Sequence, residues 1–137
     1  MAKPASVVAG SVASFRPDVL VTLDASDGHR DHQRMREVTQ AVAAERGIPV
    51  YLQCLPRSTM RMWAEHMAAI DPDLAYLRLG ELGTPDDEIS VVLEAGEFYE
   101  QRWEAIRAHR SQASPFDTLP DELARAFLTR DHLIAVP

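Results

Sequence analysis

The chain has 137 residues, 46% hydrophobic and 26% charged, with one cysteine and a formal charge of −7 from 14 Lys+Arg against 21 Asp+Glu. That is one domain's worth of chain, with enough apolar residues for a real core, so wholesale disorder is excluded. The lone cysteine, Cys54, excludes an intramolecular disulfide, a cysteine-rich zinc module and a CxxC redox site, and an acidic chain without a basic tract is a poor nucleic-acid or anionic-membrane binder.

No segment approaches the roughly 20 apolar residues of a membrane span. The weakly apolar start, Val7-Val8-Ala9, is interrupted by Gly10 and Ser11 and followed by Arg16-Pro17-Asp18. It does not read as a signal peptide, and with a lone free thiol this leads to the expectation of a cytoplasmic protein.

Strand and helix patterns alternate from Val19 onward. Val19 to Leu23 is a nearly continuous apolar run, the pattern of a strand buried on both faces. Turn-type residues, Asp24 to Gly28, follow. A helix is predicted from Asp31 to about Arg46, with Met35, Val38 and Val42 on one face and Gly47 as its stop. Pro49 to Leu55 is a second β-rich run. Ser58 or Thr59 can cap the next helix, whose inward face would carry Met60, Trp63, Met67 and Ile70. Asp71 to Glu88 reads as loop, with its acids on a solvated face. Ile89 to Leu93 is a third strand. A helix from Gly96 to about Ser111 would turn Tyr99, Trp103 and Ile106 inward, and a short last helix runs from Pro120 to Leu128. Leu133 to Val136 fits an edge strand. The alternation implies an α/β, Rossmann-like fold with at least part of the sheet parallel, and sites in such sheets gather at the carboxyl ends of the strands.

That rule directs attention to Asp24–His32. Gly28-His29-Arg30-Asp31-His32 places two histidines three residues apart at the mouth of a helix, where i and i+3 share a face. Neutral imidazole is a good zinc ligand, and a nearby carboxylate can fix its tautomer. HxxH alone is a weak signal, and the spacing by itself favours a solvated helix start with no function; the position after a buried strand weighs toward a site. A kinase catalytic loop is excluded, because His29-Arg30-Asp31 lacks its asparagine and the chain contains none.

Beyond spacing, the chain from about Phe15 to Val136 resembles the carboxyl-terminal half of the PIG-L (LmbE-like) family of zinc-dependent N-deacetylases. Arg16 to Thr22 is similar to the family's RPDvvvt strand, and Asp27-Gly-His-Arg-Asp-His32 to its GHPDH metal motif. Tyr51 to Ser58 is similar to its next strand and PRS turn. Thr84 to Ser90, with Ala105 to Gln112, looks like its late strand and aHrSQ helix end. The resemblance implies a hydrolase that removes an N-acetyl group from an amino sugar or its conjugate, with zinc as cofactor, although Fe(II) also accepts such ligands. It implies His32 as a metal ligand, His29 at the tetrahedral oxyanion and leaving amine, and Asp31 orienting a histidine. His109 and Gln112 match its AHRSQ element near the cleft and would contact substrate. Arg57, in the PRS turn at a strand's carboxyl end, reads either as a contact to an anionic or hydroxyl group of the substrate or as a solvated turn arginine.

Arg30 stands where the family has proline, and the turn from Asp24 to His29 is short. The family's first motif, AHPDDE, has no counterpart upstream. Thr84-Pro85-Asp86-Asp87-Glu88 copies its letters, but threonine replaces the ligand histidine and the string precedes a strand, so it reads as an acidic turn. The expectation is a single partial domain, 1–137, lacking its N-terminal strands and needing an oligomer or a complementing chain. A rival of another class remains open: a non-catalytic α/β subunit or degenerate remnant that binds a partner. Cys54, in a buried strand without a neighbouring base, reads as a structural thiol. His66 and His132 read as isolated and exposed.

Overall fold

A computed structural model describes residues 3–111 and 114–136. Gln112, one of the substrate-contact expectations, lies outside them. Helices α1 (Lys3–Phe15), α2 (Arg30–Arg46), α3 (Arg57–Ile70), α4 (Tyr99–Ala108) and α5 (Asp121–Leu128) surround strands β1 (Leu20–Leu23), β2 (Val50–Cys54), β3 (Val91–Glu94) and β4 (Arg130–Val136). The sheet order is β1-β2-β4-β3.

The sheet is mixed. β1 and β2 run parallel, joined through α2, with Leu20 opposite Val50 and Leu23 opposite Gln53. β4 runs antiparallel to both of its neighbours, β2 and β3. Period-two alternation sends Val50, Leu52 and Cys54 to one face of β2. There Val50, Leu52 and Ala43 of α2 form a core with Leu20, Ile134 and Val136.

Two strand placements reverse the sequence reading. The run Val19–Leu23 was expected to be buried on both faces, yet β1 lies at the sheet edge and Val21 is 57% exposed. The terminal strand was expected at an edge, yet β4 lies inside the sheet and pairs on both sides. An apolar run reports only that a strand can be buried; which element arrives beside it is decided elsewhere in the chain. The opposite sheet face, with Val21, Gln53, Leu93 and Leu133, borders an open cleft of about 590 Å³ against Ile106 and Phe116.

The helices follow their predicted positions with local differences. Gly47 ends α2 in the left-handed region, φ 65°, its N–H donating to the Ala43 carbonyl. Val38 and Val42 are buried as predicted, whereas Met35 is 41% exposed. No side chain caps α3; Pro56 occupies its N-cap, and Ser58 turns instead to Asp86, donating from N and Oγ to Oδ1 at 3.3 and 3.1 Å. Met60 of α3 is buried, but Ile70 is exposed. The stretch after β3 opens as a 3-10 turn, Gly96–Phe98, before α4, with Tyr99 buried. Helix α1 was not foreseen. It buries Val12, packs on α2, and ends at Phe15, after which the Arg16 N–H donates to the Val12 carbonyl at 2.9 Å. Among the described residues, no helix is long and apolar enough to cross a membrane.

Candidate functional site at the carboxyl end of β1

Asp24 leaves β1 with its N–H donating to the Gln53 carbonyl at 2.8 Å, so the ladder extends one residue past the strand. Its carboxylate is buried and fully engaged. Arg36 Nη1 of α2 donates to Oδ1 at 3.0 Å and to the Asp24 carbonyl at 2.8 Å. The Thr84 hydroxyl donates to Oδ2 at 2.8 Å and lies 3.1 Å from Ser26 Oγ, which can donate to it in turn. The Gly83 N–H donates to the Ser26 carbonyl at 2.8 Å. These bonds fasten the end of β1 to α2 and to the loop before β3.

From this anchor the chain reverses. Ala25 and Gly28 both adopt positive φ, 71° and 78°. The reversal brings the Asp27 carboxylate back over the first turn of α2. Oδ1 accepts the His29 backbone N–H at 3.0 Å. Oδ2 lies 2.5 Å from His32 Nδ1, and because a carboxylate only accepts, Nδ1–H donates. His29 is the N-cap of α2, its Nδ1 accepting the Asp31 N–H at 3.2 Å. The two rings stack, centroids 4.5 Å apart and planes 28° from parallel. His29 opens onto a cleft of about 760 Å³ between the polar start of α2 (Arg30, Gln33, Arg34) and an apolar wall of Tyr76 and Leu79.

The structure thus brings His29 and His32 into contact. It gives the carboxylate bonded to a histidine to Asp27, whereas Asp31 meets His29 through its backbone amide. Sequence reasoning passed over Asp27 as a turn residue; a carboxylate five residues before His32, followed by glycine, was the available signal. Arg57 lies in a neighbouring cleft of about 520 Å³ beside Asp24, Ser26 and Thr84. Its N–H donates to the Thr84 carbonyl, Nη1 pairs with Glu81 at 3.3 Å, and its Nε is buried without a protein partner. His109 is exposed at the C-terminal end of α4, with no hydrogen bond or ion pair to His29 or His32 among the described residues.

Thr84 was expected to be part of a solvated turn. It is instead buried, while Asp86–Glu88 form an exposed 3-10 turn. Burial pushes the Cys54 thiol above its ordinary range, which disfavours the thiolate and fits an inert structural role. His132, expected to be exposed, is half-buried, and burial lowers its pKa.

A catalytic zinc normally takes three protein ligands and keeps one position open. Among the described residues, no group of three or more His, Cys, Asp and Glu side chains is placed to hold a metal. The donor set around His32 therefore supplies one imidazole, braced by a carboxylate, and does not fit a complete catalytic zinc site on its own.

No protein-family model matches the chain. It is 35% identical over 106 residues to 1D-myo-inositol 2-acetamido-2-deoxy-alpha-D-glucopyranoside deacetylase 1 of Saccharopolyspora erythraea, covering 72% of this chain and 34% of that protein. It is 33% identical over 124 residues to the deacetylase of the same name from Mycobacterium sp. strain KMS, covering 83% of this chain and 39% of that protein. Across such curated relatives the chain spans 34–49% of their length. The crystal structure of the A40926 pseudoaglycone deacetylase Dbv21 superposes with a TM-score of 0.60 at 20% identity, covering 96% of this chain and 54% of that one. The chain therefore has the LmbE-like α/β fold of these deacetylases, with a mixed sheet.

Proposed function

We propose that the chain belongs to the PIG-L (LmbE-like) family and forms part of a hydrolase that removes the N-acetyl group of an amino sugar or its conjugate. The observation that carries this reading is the stacked His29–His32 pair at the carboxyl end of β1, held by Asp27, in a chain similar to inositol–amino sugar deacetylases. Amide hydrolysis adds water across the C–N bond and releases acetate and a free amine. His29, at the rim of the cleft, would donate to the developing oxyanion and pass a proton to the leaving amine. His32 would be a metal ligand, with zinc, or Fe(II), the metal the resemblance implies. The other ligands and the general base would come from sequence outside these 137 residues, in the same polypeptide or in a complementing chain. Arg57, His109 and Gln112 would contact the substrate. The substrate class is a small N-acetylated amino sugar, with no nucleic-acid partner, in the cytoplasm.

The rival is a non-catalytic, partner-binding α/β subunit, and the absence of a three-ligand cluster among the described residues is the observation in its favour. One experiment separates the two. The segment of the Saccharopolyspora deacetylase that precedes its matched residues is fused ahead of this chain, loaded with zinc, and assayed for acetate release from N-acetylglucosaminyl-inositol. Release supports the enzyme. A folded, zinc-loaded fusion that releases no acetate supports the binding module.

A further inference from the structure

We infer that Asp27 is the positioning residue of this site, and that it sets the two stacked histidines in opposite tautomers. The inference deepens the proposed function and rests on it only for the use to which the rings are put.

The tautomer of a neutral imidazole is set by the hydrogen bond that one of its nitrogens makes. In His32, Nδ1 faces the Asp27 carboxylate at 2.5 Å. A carboxylate cannot donate, so the proton sits on Nδ1 and Nε2 carries a lone pair. In His29, Nδ1 faces the Asp31 backbone N–H at 3.2 Å. An amide nitrogen can only donate, so Nδ1 carries the lone pair and the proton sits on Nε2. Neither Nε2 has a protein partner among the described residues. The two stacked rings, 28° from parallel, therefore carry unlike groups at Nε2: a lone pair on His32 and an N–H on His29. The first suits a cation and the second an oxygen bearing negative charge.

Both settings trace to Asp27. Oδ2 holds the His32 ring directly. Oδ1 holds the His29 backbone N–H at 3.0 Å, in the extended N-cap conformation (φ −80°, ψ 123°) from which the His29 ring reaches the Asp31 amide. Gly28, at φ 78°, makes the reversal that lets one carboxylate reach both residues. Asp31, two residues on, contributes its backbone only to this arrangement.

The test is the two-bond nitrogen–proton correlation spectrum of the ¹⁵N-histidine-labelled chain, free of metal and substrate, at a pH about two units above the ordinary histidine value of about 6.5. The expected pattern is Nδ1–H for His32 and Nε2–H for His29, assigned by His29→Gln and His32→Gln. In Asp27→Ala the His32 pattern is expected to move to Nε2–H, while His66, whose Nε2–H donates to the Thr118 carbonyl at 2.9 Å, keeps its Nε2–H pattern. An Nε2–H pattern at His32 in the unsubstituted chain overturns the inference, whether or not Asp27→Ala folds. So does an Nδ1–H pattern that survives in a folded Asp27→Ala. Failure of the fusion to release acetate would overturn the deacetylase reading and leave these tautomers standing.

Discussion

Replacing Asp24 with alanine removes the anchor on which the site is built. The carboxylate is 8% exposed and holds Arg36 at 3.0 Å and Thr84 at 2.8 Å. A hydrogen bond to a charged group contributes about 1.5–3 kcal/mol. The Arg36 side chain is 40% exposed and can be resolvated, so the lower figure, about 1.5 kcal/mol, applies. The Thr84 bond adds about 1 kcal/mol. Thr84 keeps Ser26 at 3.1 Å, so its hydroxyl is not stranded by the change. The expected loss is about 2.5 kcal/mol, which for a chain of this size lowers Tm by about 8–12 °C. Thr84→Val strands one buried carboxylate oxygen and is expected to cost about 1–3 kcal/mol. The two changes remove the same bond, so the double variant is expected to cost about 1 kcal/mol less than the two singles added together. Urea titrations followed by far-ultraviolet circular dichroism give all three values, with m unchanged. A loss below about 0.5 kcal/mol for Asp24→Ala, or additivity within about 0.3 kcal/mol, would refute the anchor.

Four further outcomes are expected. Leu52, 2% exposed in the core against Ala43 and Val50, should lose about 2–5 kcal/mol on change to alanine, measured by the same titration. Gly28→Ala forces a side chain into φ 78° with its Cβ 2.9 Å from Leu79 Cδ1; the leucine tip can yield, so the backbone sets the cost at about 1–2 kcal/mol, and an unchanged midpoint would contradict it. Burial, then nearby Arg130, holds His132 below its ordinary 6.5, against the opposing pull of Asp131, Asp86 and Glu94. Its contribution is therefore full above pH 6.5 and is lost as pH falls through the lower folded-state value, so His132→Gln should flatten the decline of Tm over that acidic window. Zinc titrated into the isolated chain should show no stoichiometric submicromolar binding by calorimetry, because the described residues hold no three-ligand cluster.

The sequence revealed what depends on local pattern. Gly47 stopped α2 where its left-handed geometry was needed, and Val38 and Val42 marked the buried face. The placement of His29 and His32 just after the first strand followed from the alternation of elements. The parallel β1–β2 pair also followed from that alternation, but the sheet positions of β1 and β4 did not, because their apolar runs carry no mark of which strand pairs with them. Helix α1 was missed because its small residues and three serines give a faint pattern, and its packing is mainly against α2. Asp27 and Thr84 were hidden for a related reason. Each acquires its role through a fold-back, Asp27 through the positive φ of Gly28 and Thr84 across 60 residues to Asp24.

The most direct test of the deacetylase account is the rate of acetate release by the zinc-loaded fusion carrying His29→Ala. If His29 supplies the donor at the oxyanion and the leaving amine, the rate constant for hydrolysis should fall by about 10²–10⁴-fold, with zinc still bound. A rate within a few-fold of the unsubstituted fusion would contradict the account.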